Sequence, residues 1–420
     1  MKPKILTTLQ DYDAATLRAD LIAGVTVAMV ALPLSLAIAI ASGAAPQTGI
    51  VTAVVAGFLI SALGGSRVQI GGPTGAFIVV VYGVIAAHGF AGLVLATLMA
   101  GVILIVAALL RAGNLIRLVP EPVINGFTIG IAIIIATSQL KDFFGMQIAD
   151  LPAAFFPKVA ALWQGRDTLS LTSLAIGVAT VALIVILRRA APRFPGLIVA
   201  VGLTSAVAAL ASLPIDTIAS RFGELPRGLP MPALPSMSLS LIAELLPSAL
   251  IIAFLAGIES LLSAMVADRM IGGNYRPNAE IMAQGWANIG SALFGGLPAT
   301  GAIARTATNV RAGGKTPVAG IVHALTILIV MLVAAPLAGR LALPALAALL
   351  ILTAWNMAEP HRWRAYLAER RSDQFLMLMT MVLTVVADLT IAIGAGVAIG
   401  LALRLQRRKV PPADWTPPDR

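Results

Sequence analysis

The chain has 420 residues, of which 59% are hydrophobic and 11% are charged, with a net charge of +10 and no cysteine. Soluble domains carry about 25% charged residues, and the mean hydropathy here is +0.94, so the composition predicts a polytopic membrane protein. The lack of cysteine excludes disulfides, thiol catalysis and thiolate metal sites. Long unbroken Leu, Ile, Val and Ala runs exclude an outer-membrane barrel, whose strands alternate polar and apolar residues over about 10 positions.

Apolar runs of membrane-spanning length recur along the chain, since about 20 apolar residues cross a bilayer as a helix. We expect an all-α polytopic membrane protein with fourteen transmembrane segments and no removable signal peptide. The predicted segments are 21–42, 48–64, 74–87, 91–110, 123–139, 169–187, 196–213, 245–266, 279–294, 302–311, 317–335, 341–355, 373–387 and 389–405. Two of them, near residues 74 and 302, follow Gly- and Pro-rich stretches and are predicted to be short or broken helices.

The predicted organisation is two repeats of seven segments joined by a linker. LGGSRVQIGGPTGAF at 63–77 and FGGLPATGAIARTAT at 294–308 share Gly-Gly, then Pro and Thr-Gly-Ala, then an apolar run. Seven is odd, so the second half starts from the opposite side of the membrane, which predicts an inverted repeat. The predicted parts are a cytoplasmic N-terminal segment (1–20), the first repeat (21–215), a Pro-rich linker (216–244), the second repeat (245–405) and a short cytoplasmic tail (406–420).

The basic residues fit a membrane topology better than a nucleic-acid interface. With the N-terminus placed in the cytoplasm, most of the 29 Lys and Arg residues lie in cytoplasmic loops or tails, as the positive-inside rule requires. We therefore predict a multi-pass protein of the bacterial cytoplasmic (inner) membrane with both termini cytoplasmic and no nucleic-acid partner. Six of the others lie on the opposite side, and Arg305 is placed on neither side, because it lies in the interior of a predicted segment.

Arg305 follows Pro298 and a run of small residues in GGLPATGAIARTATNV. A charge at the bilayer centre costs roughly 2.5–3.5 kcal/mol on insertion scales, and such residues usually face a cavity or a partner. A short helix beginning near Ala302 would present free backbone N–H groups beside Arg305, and both favour an anion. The alternative interpretation is a structural arginine that clamps a helix end or pairs with an internal carboxylate.

The stretch GGPTGAF at 71–77 has the same pattern in the first repeat. Pro73 suits the first turn of a helix, and Thr74 can cap that turn or donate a hydrogen bond. Taken together, the two stretches predict two half-helices, segments 3 and 10, whose N-termini meet near the membrane midplane and hold an anion between them.

Glu259 lies in the middle of a predicted segment and is the second candidate, after Arg305, for a charge within the membrane. Ser263 lies one turn further along the same face. Two interpretations stay open: a permanent salt bridge with Arg305, or a carboxylate that binds a proton or a cation together with the substrate. Asp388, between the last two predicted segments, is assigned to a loop or a helix cap. Metalloprotease, Walker, Rossmann and nucleophile-elbow motifs do not occur in the sequence, so neither an enzyme activity nor a cofactor is predicted.

Several stretches of the chain resemble the sulfate permease (SulP) family of anion transporters. They are DLIAGVTVAMVALPLSLAIAIASG, GGPTGAF, INGFTIGIAIIIATSQLKDFFG, FLAGIESLLSAMVAD, NIGSALFGGLPATGAIARTATNVRAGGKTPVAGI and ADLTIAIGAGVAIG. The resemblance covers about residues 20 to 405 and is most specific at 286–321. It implies a core domain of segments 1–4 and 8–11 and a gate domain of segments 5–7 and 12–14. It also implies an elevator-type mechanism, in which the core slides against the gate, and a homodimer.

The resemblance implies a substrate pocket between the N-termini of segments 3 and 10. Carried over by position, the substrate-binding residues would be Leu34, Ile38, Thr74, Gly75, Ala76, Ala302, Ile303, Ala304 and Arg305. Glu259 and Ser263 match an aspartate and a hydroxyl residue that help bind the cation in sodium-coupled bicarbonate members. Glutamate at this position looks more like the proton-coupled bacterial members, so the expected coupling ion is a proton rather than sodium.

The chain departs from the family pattern in the pocket and at its C-terminal side. Ala302-Ile303-Ala304 stands where animal members often have Ser-Leu-Ser, and Leu34 stands where many have Gln. No segment resembles the regulatory STAS domain that usually follows the membrane domain. The less polar pocket favours a small carboxylate or bicarbonate over sulfate, and the expected substrate is a dicarboxylate, bicarbonate or sulfate. The rival functions are an anion channel or exchanger of the same family and a nucleobase permease of the same fold, against which Arg305 argues.

Overall fold

The computed structural model describes residues 2–10, 12–114, 120–149, 151–191, 195–387 and 389–406. The described part is built of helices and one two-stranded ribbon, which confirms the predicted all-α fold. Eight of its helices are long and apolar enough to cross a membrane, as expected for a multi-pass membrane protein. The count of fourteen crossings stays a prediction.

Every segment predicted in the first repeat contains a helix. The helices of this part are α1 (Ile5–Thr8), α2 (Ala14–Ala41), α3 (Pro46–Leu63), α4 (Ile78–Leu109), α5 (Glu121–Phe143), α6 (Phe155–Gln164), α7 (Leu171–Ala190) and α8 (Gly196–Leu210). Short 3-10 turns cover Gly75–Phe77 and Gly165–Thr168. Asp13 caps α2 by accepting the Thr16 N–H at 2.8 Å, so this helix begins before the predicted start at residue 21.

Gly89 divides α4 into two helices, because its φ of 67° and ψ of −178° are not helical. This break lies between the predicted segments 74–87 and 91–110, as expected. Glycine adopts this conformation without the steric cost of a Cβ. One feature of the first repeat differs from the prediction: α6 lies where a loop is predicted, and its ten residues are too few to cross a bilayer as a helix.

Every segment predicted in the second repeat also contains a helix. The helices that follow α8 are α9 (Ile218–Phe222), α10 (Leu239–Ile271), α11 (Pro277–Leu293), α12 (Ile303–Arg311), α13 (Val318–Gly339), α14 (Leu343–Met357), α15 (Trp363–Ala368), α16 (Arg371–Val386) and α17 (Leu389–Gln406), with a 3-10 turn at Pro360–Arg362. Ser238 caps α10 by accepting the Leu241 N–H at 3.2 Å. The predicted boundaries after residues 20 and 244 therefore fall inside α2 and α10. Residues 407–420 of the predicted tail, and Asp388, lie outside the described residues.

The helices pack in two groups. In the first group, α4 packs on α10 and α11, α2 on α13, and α3 on α11 and α13. In the second group, α5 packs on α14 and α16, α7 on α8 and α14, and α16 on α17. The first group contains the helices expected in the core domain and the second those expected in the gate domain, while α2 contacts α8 and α14 across the boundary. Movement of one group against the other stays a prediction.

Helices of the two repeats interlock within the first group. The first segment of one repeat packs on the fourth of the other, as α2 on α13 and as α10 on α4. Gly101 of α4 and Gly285 of α11 face each other, because a Cβ on either would lie 2.8 Å from the carbonyl oxygen of the other. Small residues of this kind let membrane helices approach closely, so the first group is one tightly packed unit.

Candidate anion-binding site

The two Gly-rich stretches meet in a short antiparallel ribbon. Strand β1 (Gly71–Gly72) pairs with strand β2 (Thr300–Gly301). The first strand leads into the 3-10 turn Gly75–Phe77 and then α4, and the second leads into α12. The predicted meeting of two helix starts is therefore present in the structure. Its depth in the membrane stays a prediction.

The first backbone N–H groups of both helix starts have no hydrogen-bond acceptor among the described residues. These groups belong to Gly75, Ala76, Ile303 and Ala304. The first turn of a helix has no intrahelical acceptor for its N–H groups, and no side chain caps either start. Free N–H groups at the positive end of a helix dipole favour an anion.

Arg305 is the third residue of α12 and is only 2% exposed. Its Nη2 donates to Ser35 Oγ and to the Pro73 carbonyl oxygen, both at 3.1 Å. Its Nε and Nη1 have no hydrogen-bond partner in the part of the chain that the structure describes. A Cβ at Gly72, where φ is +150°, would overlap Nη1, so this guanidinium position requires glycine there. Arg305 therefore ties the second helix start to the turn that precedes the first.

Arg305 and Glu259 do not form the salt bridge that was one of the two open interpretations. Among the described residues, no ion pair of 4.0 Å or less joins them. Glu259 is half-buried, and its Oε2 accepts a hydrogen bond from Thr74 Oγ1 at 2.9 Å. The two charged side chains thus bind neighbouring residues of one turn, Pro73 and Thr74, instead of each other.

Ser263 lies on α10 with Glu259 but binds a different part of the site. Its Oγ is hydrogen-bonded to Thr306 Oγ1 at 3.1 Å, and both side chains are buried. Thr306 Oγ1 also accepts the Ile70 N–H at 3.0 Å. Ser263 therefore ties α10 to α12 in this conformation, and its role in binding a coupling ion stays a prediction.

The other expected pocket residues differ in exposure. Ala304 is exposed and Leu34 and Ile303 are partly exposed, whereas Ile38, Gly75, Ala76 and Ala302 are buried. Contact between Ser35 and Arg305 brings the 34–38 stretch of α2 beside α12, and the ribbon brings 74–76 beside 302–305. The structure therefore groups the three expected stretches in one place.

The first helix start also borders the second group of helices. A Cβ on Gly75 would lie 3.1 Å from Met357 Sδ on α14 and 3.5 Å from Ile135 Cδ1 on α5. The site is therefore at the boundary between the two groups, where a movement of one group would change its surroundings.

One polar face of α11, which the sequence analysis missed, anchors the segments that lead into the ribbon. Asn288 Nδ2 donates to the Ala299 carbonyl and Asn288 Oδ1 accepts the Ala299 N–H, both at 2.9 Å. Glu280 Oε2 accepts the N–H groups of Gly65 and Ser66 at 2.8 and 3.2 Å. One helix thus satisfies the N–H and carbonyl of Ala299 and the N–H groups of Gly65 and Ser66 in the two irregular segments.

Gln284 lies between these two anchors. Its Nε2 donates to Ser260 Oγ at 2.7 Å and to Glu280 Oε1 at 3.0 Å. Glu280, Gln284 and Asn288 are spaced by four residues in a segment predicted to span the membrane, which places them on one helix face. That spacing of polar residues was a signal for a buried anchor, although the sequence alone does not say what the anchor holds.

The chain is similar to proteins of known families over most of its length. Residues 17–380 match the model described as the Sulfate permease family. The putative sulfate transporter YvdB of Bacillus subtilis is 42% identical over 382 residues, which cover 90% of this chain and 72% of the relative. The bicarbonate transporter BicA of Picosynechococcus is 33% identical over 347 residues, which cover 79% of this chain and 60% of the relative.

Solved structures have the same arrangement of helices. The transmembrane domain of a cyanobacterium bicarbonate transporter, BicA, matches with a TM-score of 0.82 at 30% identity, covering 92% of this chain and 98% of that one. The murine anion transporter Slc26a9 in the inward-facing state matches with a TM-score of 0.88 at 18% identity, covering 97% of this chain and 72% of that one. The second likeness concerns the fold alone.

Proposed function

The chain belongs to the sulfate permease family, and on that premise we propose that it is a secondary active transporter of small anions. The substrate binds between the 3-10 turn Gly75–Phe77 and the start of α12. The observation that carries this proposal is the pair of helix starts that leave one ribbon with free N–H groups, beside the enclosed guanidinium of Arg305. Relatives in this family are named as transporters, and the chain is not an enzyme.

Arg305 contributes its charge more than a direct contact in this conformation. The side chain is enclosed, and Nη2 is already bound to Ser35 and Pro73. A positive charge in surroundings of low dielectric attracts an anion over several ångströms. Ala304 is exposed and Ile303 partly exposed, which leaves their N–H groups as the contacts for the anion while Arg305 balances its charge.

The proposed substrates are sulfate, bicarbonate and small dicarboxylates. Leu34, Ala302, Ile303 and Ala304 carry no side-chain donors, so selectivity among these anions rests on size and on the placing of backbone N–H groups. Relatives that are named as sulfate and bicarbonate transporters support an anion of this size.

Glu259 is the proposed proton site of a symport mechanism. Its carboxylate is half-buried and is joined through Thr74 to the turn that Arg305 also binds. A proton on Glu259 removes a negative charge close to the incoming anion, so binding of the proton and binding of the anion favour each other. Ser263 is proposed to assist by holding α10 against α12.

The proposed movement is an elevator, in which the first group of helices slides against the second. Helix α12 packs on α10 and α2 of the first group. Both helix starts, Arg305 and Glu259 therefore belong to that group, so the whole site would move as one body. We further propose a homodimer in the bacterial cytoplasmic membrane with both termini on the cytoplasmic side.

Uptake into proteoliposomes tests the transport proposal. Labelled sulfate, bicarbonate and a C4 dicarboxylate are offered with and without an inward proton gradient, and with a sodium gradient in parallel. We expect at least one anion to accumulate above equilibrium only when the proton gradient is present. A channel would equilibrate the anion without accumulating it, and a nucleobase permease would accumulate a neutral base instead.

Substitutions of the two charged residues test their roles. Arg305→Ala should weaken anion binding about 100-fold. Arg305→Lys should weaken it about tenfold, because lysine keeps the charge but loses the guanidinium hydrogen bonds to Ser35 and Pro73. Arg340→Ala, which removes an exposed arginine, is the matched control. Wild-type affinity in both Arg305 variants would overturn the role of Arg305.

Proton uptake that persists in Glu259→Gln would overturn the role of Glu259.

A further inference from the structure

A second polar cavity lies apart from the Arg305 site, on the side predicted to be cytoplasmic. Its volume is about 490 Å³, and its walls include Lys2, Lys4, Asn274 and Arg276. It is formed by the N-terminal segment, Asn114 in the stretch after α4, the loop between α10 and α11, and the start of α11. Three of the side chains that line it are cations.

These three cations have no carboxylate partner within 4.0 Å among the described residues. Lys4 Nζ donates to the Asn274 carbonyl at 2.7 Å, and Arg276 Nη1 donates to the carbonyls of Lys2 and Pro3 at 2.9 and 3.3 Å. Carbonyl groups accept hydrogen bonds but do not neutralise a charge. The cavity therefore holds several positive charges that an anion would balance.

The neighbouring charges act on Lys4 in opposite directions. Its partial burial and the positive charge of Arg276 lower the pKa of the Lys4 ammonium, while Asp268 opposes that change. The Asp268 carboxylate itself accepts the Tyr275 N–H. Repulsion between Lys4 and Arg276 would be relieved by a negatively charged group placed between them.

The walls of the cavity are fixed by backbone hydrogen bonds. The Lys4 N–H donates to the Gly64 carbonyl at 2.8 Å, and the Arg276 N–H donates to the Gly65 carbonyl at 3.0 Å. The N-terminal segment and the start of α11 are therefore both held at the end of α3. These backbone hydrogen bonds hold Lys4 and Arg276 on neighbouring parts of the fold.

The N-terminal segment that lines the cavity also carries exposed apolar side chains. Leu6 and Leu9, which follow Lys4, are 57% and 44% exposed. A phosphate group needs only the cations, whereas a phospholipid would also cover these apolar side chains with its acyl chains. The exposed leucines therefore favour a lipid over free phosphate.

We propose that this cavity binds the phosphate group of an anionic phospholipid and thereby holds the N-terminal segment on the first group of helices. Basic pockets at the cytoplasmic ends of membrane helices are suited to such headgroups. The site shares no residue with the proposed transport site, so the two proposals stand independently.

Thermal unfolding of the full chain in a neutral detergent tests the ligand. Short-chain phosphatidylglycerol, short-chain phosphatidylcholine and inorganic phosphate are added separately at equal concentration. We expect phosphatidylglycerol to raise the Tm by several degrees and the other two to have little effect. An equal rise with inorganic phosphate would overturn the lipid and assign the site to free phosphate. No rise with either phosphate probe, or an equal rise with phosphatidylcholine, would overturn the proposal.

Matched double variants test the place of binding. Lys2→Gln with Lys4→Gln should raise the apparent Kd for phosphatidylglycerol about 100-fold, at about tenfold for each charged contact. Arg18→Gln with Lys315→Gln removes two exposed charges on the same predicted side and should change the Kd less than twofold. Equal weakening in both pairs would overturn the site in favour of diffuse attraction. Lys2→Arg with Lys4→Arg keeps both charges and should retain binding, and its failure to bind while folded would also count against the site.

A last comparison separates this inference from the transport proposal. Arg305→Ala should leave the Tm shift by phosphatidylglycerol unchanged, because Arg305 is not among the residues that line the cavity. A shift that disappears in Arg305→Ala but persists in Lys2→Gln with Lys4→Gln would place lipid binding at the transport site and overturn the inference.

Discussion

The two helix starts at the candidate site come from related sequences but differ in charge. GGPTGAF in the first repeat has no charged residue, whereas the second repeat supplies both Arg305 and Glu259. Both charges nevertheless bind the turn of the first repeat, Arg305 at the Pro73 carbonyl and Glu259 at the Thr74 hydroxyl. Each repeat therefore supplies one helix start, but only the second repeat supplies charged groups. The two halves of the site are not equivalent.

The two charged residues also differ in how firmly they are held. Arg305 is enclosed and makes two hydrogen bonds. Glu259 is half-buried and makes one hydrogen bond within the described part of the chain. We therefore expect substitutions around Arg305 to affect anion affinity strongly, and substitutions around Glu259 to affect coupling more moderately.

The largest effect is expected from a larger side chain at Gly72, beside the Arg305 guanidinium. Gly72→Ala would push the Arg305 guanidinium from its position and strain a backbone φ of +150°, so anion affinity should fall about 100-fold. Gly202→Ala, at a position with open space around it, should change affinity less than twofold. The measurement is isothermal titration of the anion. Unchanged binding by Gly72→Ala would show that anion affinity does not depend on this position of the Arg305 guanidinium.

A smaller effect is expected from loosening the second helix start. Asn288→Ala leaves both the N–H and the carbonyl of Ala299 without their partner, so the free energy of unfolding should fall by about 2 kcal/mol. Thr137→Ala removes an exposed hydroxyl that donates to the Ile133 carbonyl of its own helix, and it should cost less than about 0.5 kcal/mol. The measurement is denaturant unfolding in detergent, and equal stability of the two variants would contradict the anchoring role of α11.

A still smaller effect is expected from removing the hydrogen bond between Thr74 and Glu259. Thr74→Val removes the hydroxyl that binds the carboxylate and should lower proton-driven uptake about tenfold, since one hydrogen bond to a charged group is lost. Thr74→Ser keeps the hydroxyl and should retain most of the uptake. If Thr74→Val and Thr74→Ser transport equally well across the pH range, the hydroxyl does not act on Glu259.

The smallest effect is expected at α6, away from the site. Lys158 on α6 is buried, donates to Ser138 Oγ of α5 at 2.9 Å and lies 5.5 Å from the centre of the Tyr82 ring of α4. Burial lowers its pKa to about 8. The folded chain therefore binds fewer protons here than the unfolded chain between about pH 8 and 10.5, so stability should rise with pH across that window.

Comparing Lys158→Gln with wild type measures this pH dependence. The difference in unfolding free energy between the two should change by on the order of 1 kcal/mol from pH 7.5 to 10, with the wild type gaining as the pH rises. Lys315→Gln, which replaces an exposed lysine, should follow the wild-type curve. A Lys158→Gln curve parallel to that of the wild type would show that Lys158 titrates normally.

The sequence by itself determined the class of protein, its family resemblance and the start of α12 near Ala302 with Arg305 in its first turn. Hydropathy and Gly/Pro punctuation act over a few neighbouring residues, so these features are readable without a structure. The end of the linker is less readable, because Ser238 starts α10 inside a Pro-rich stretch.

Only the tertiary structure decided which groups Arg305, Glu259 and Ser263 bind. The partners of Arg305 are Ser35 and Pro73, more than 200 residues away in the chain, and no local pattern marks them. A buried charge takes whichever donors or acceptors the packing brings within about 3 Å. The interlocking of the two repeats brought Arg305 and Glu259 to the same turn without pairing them, and it left the N–H groups of both helix starts without an acceptor in the described part of the chain.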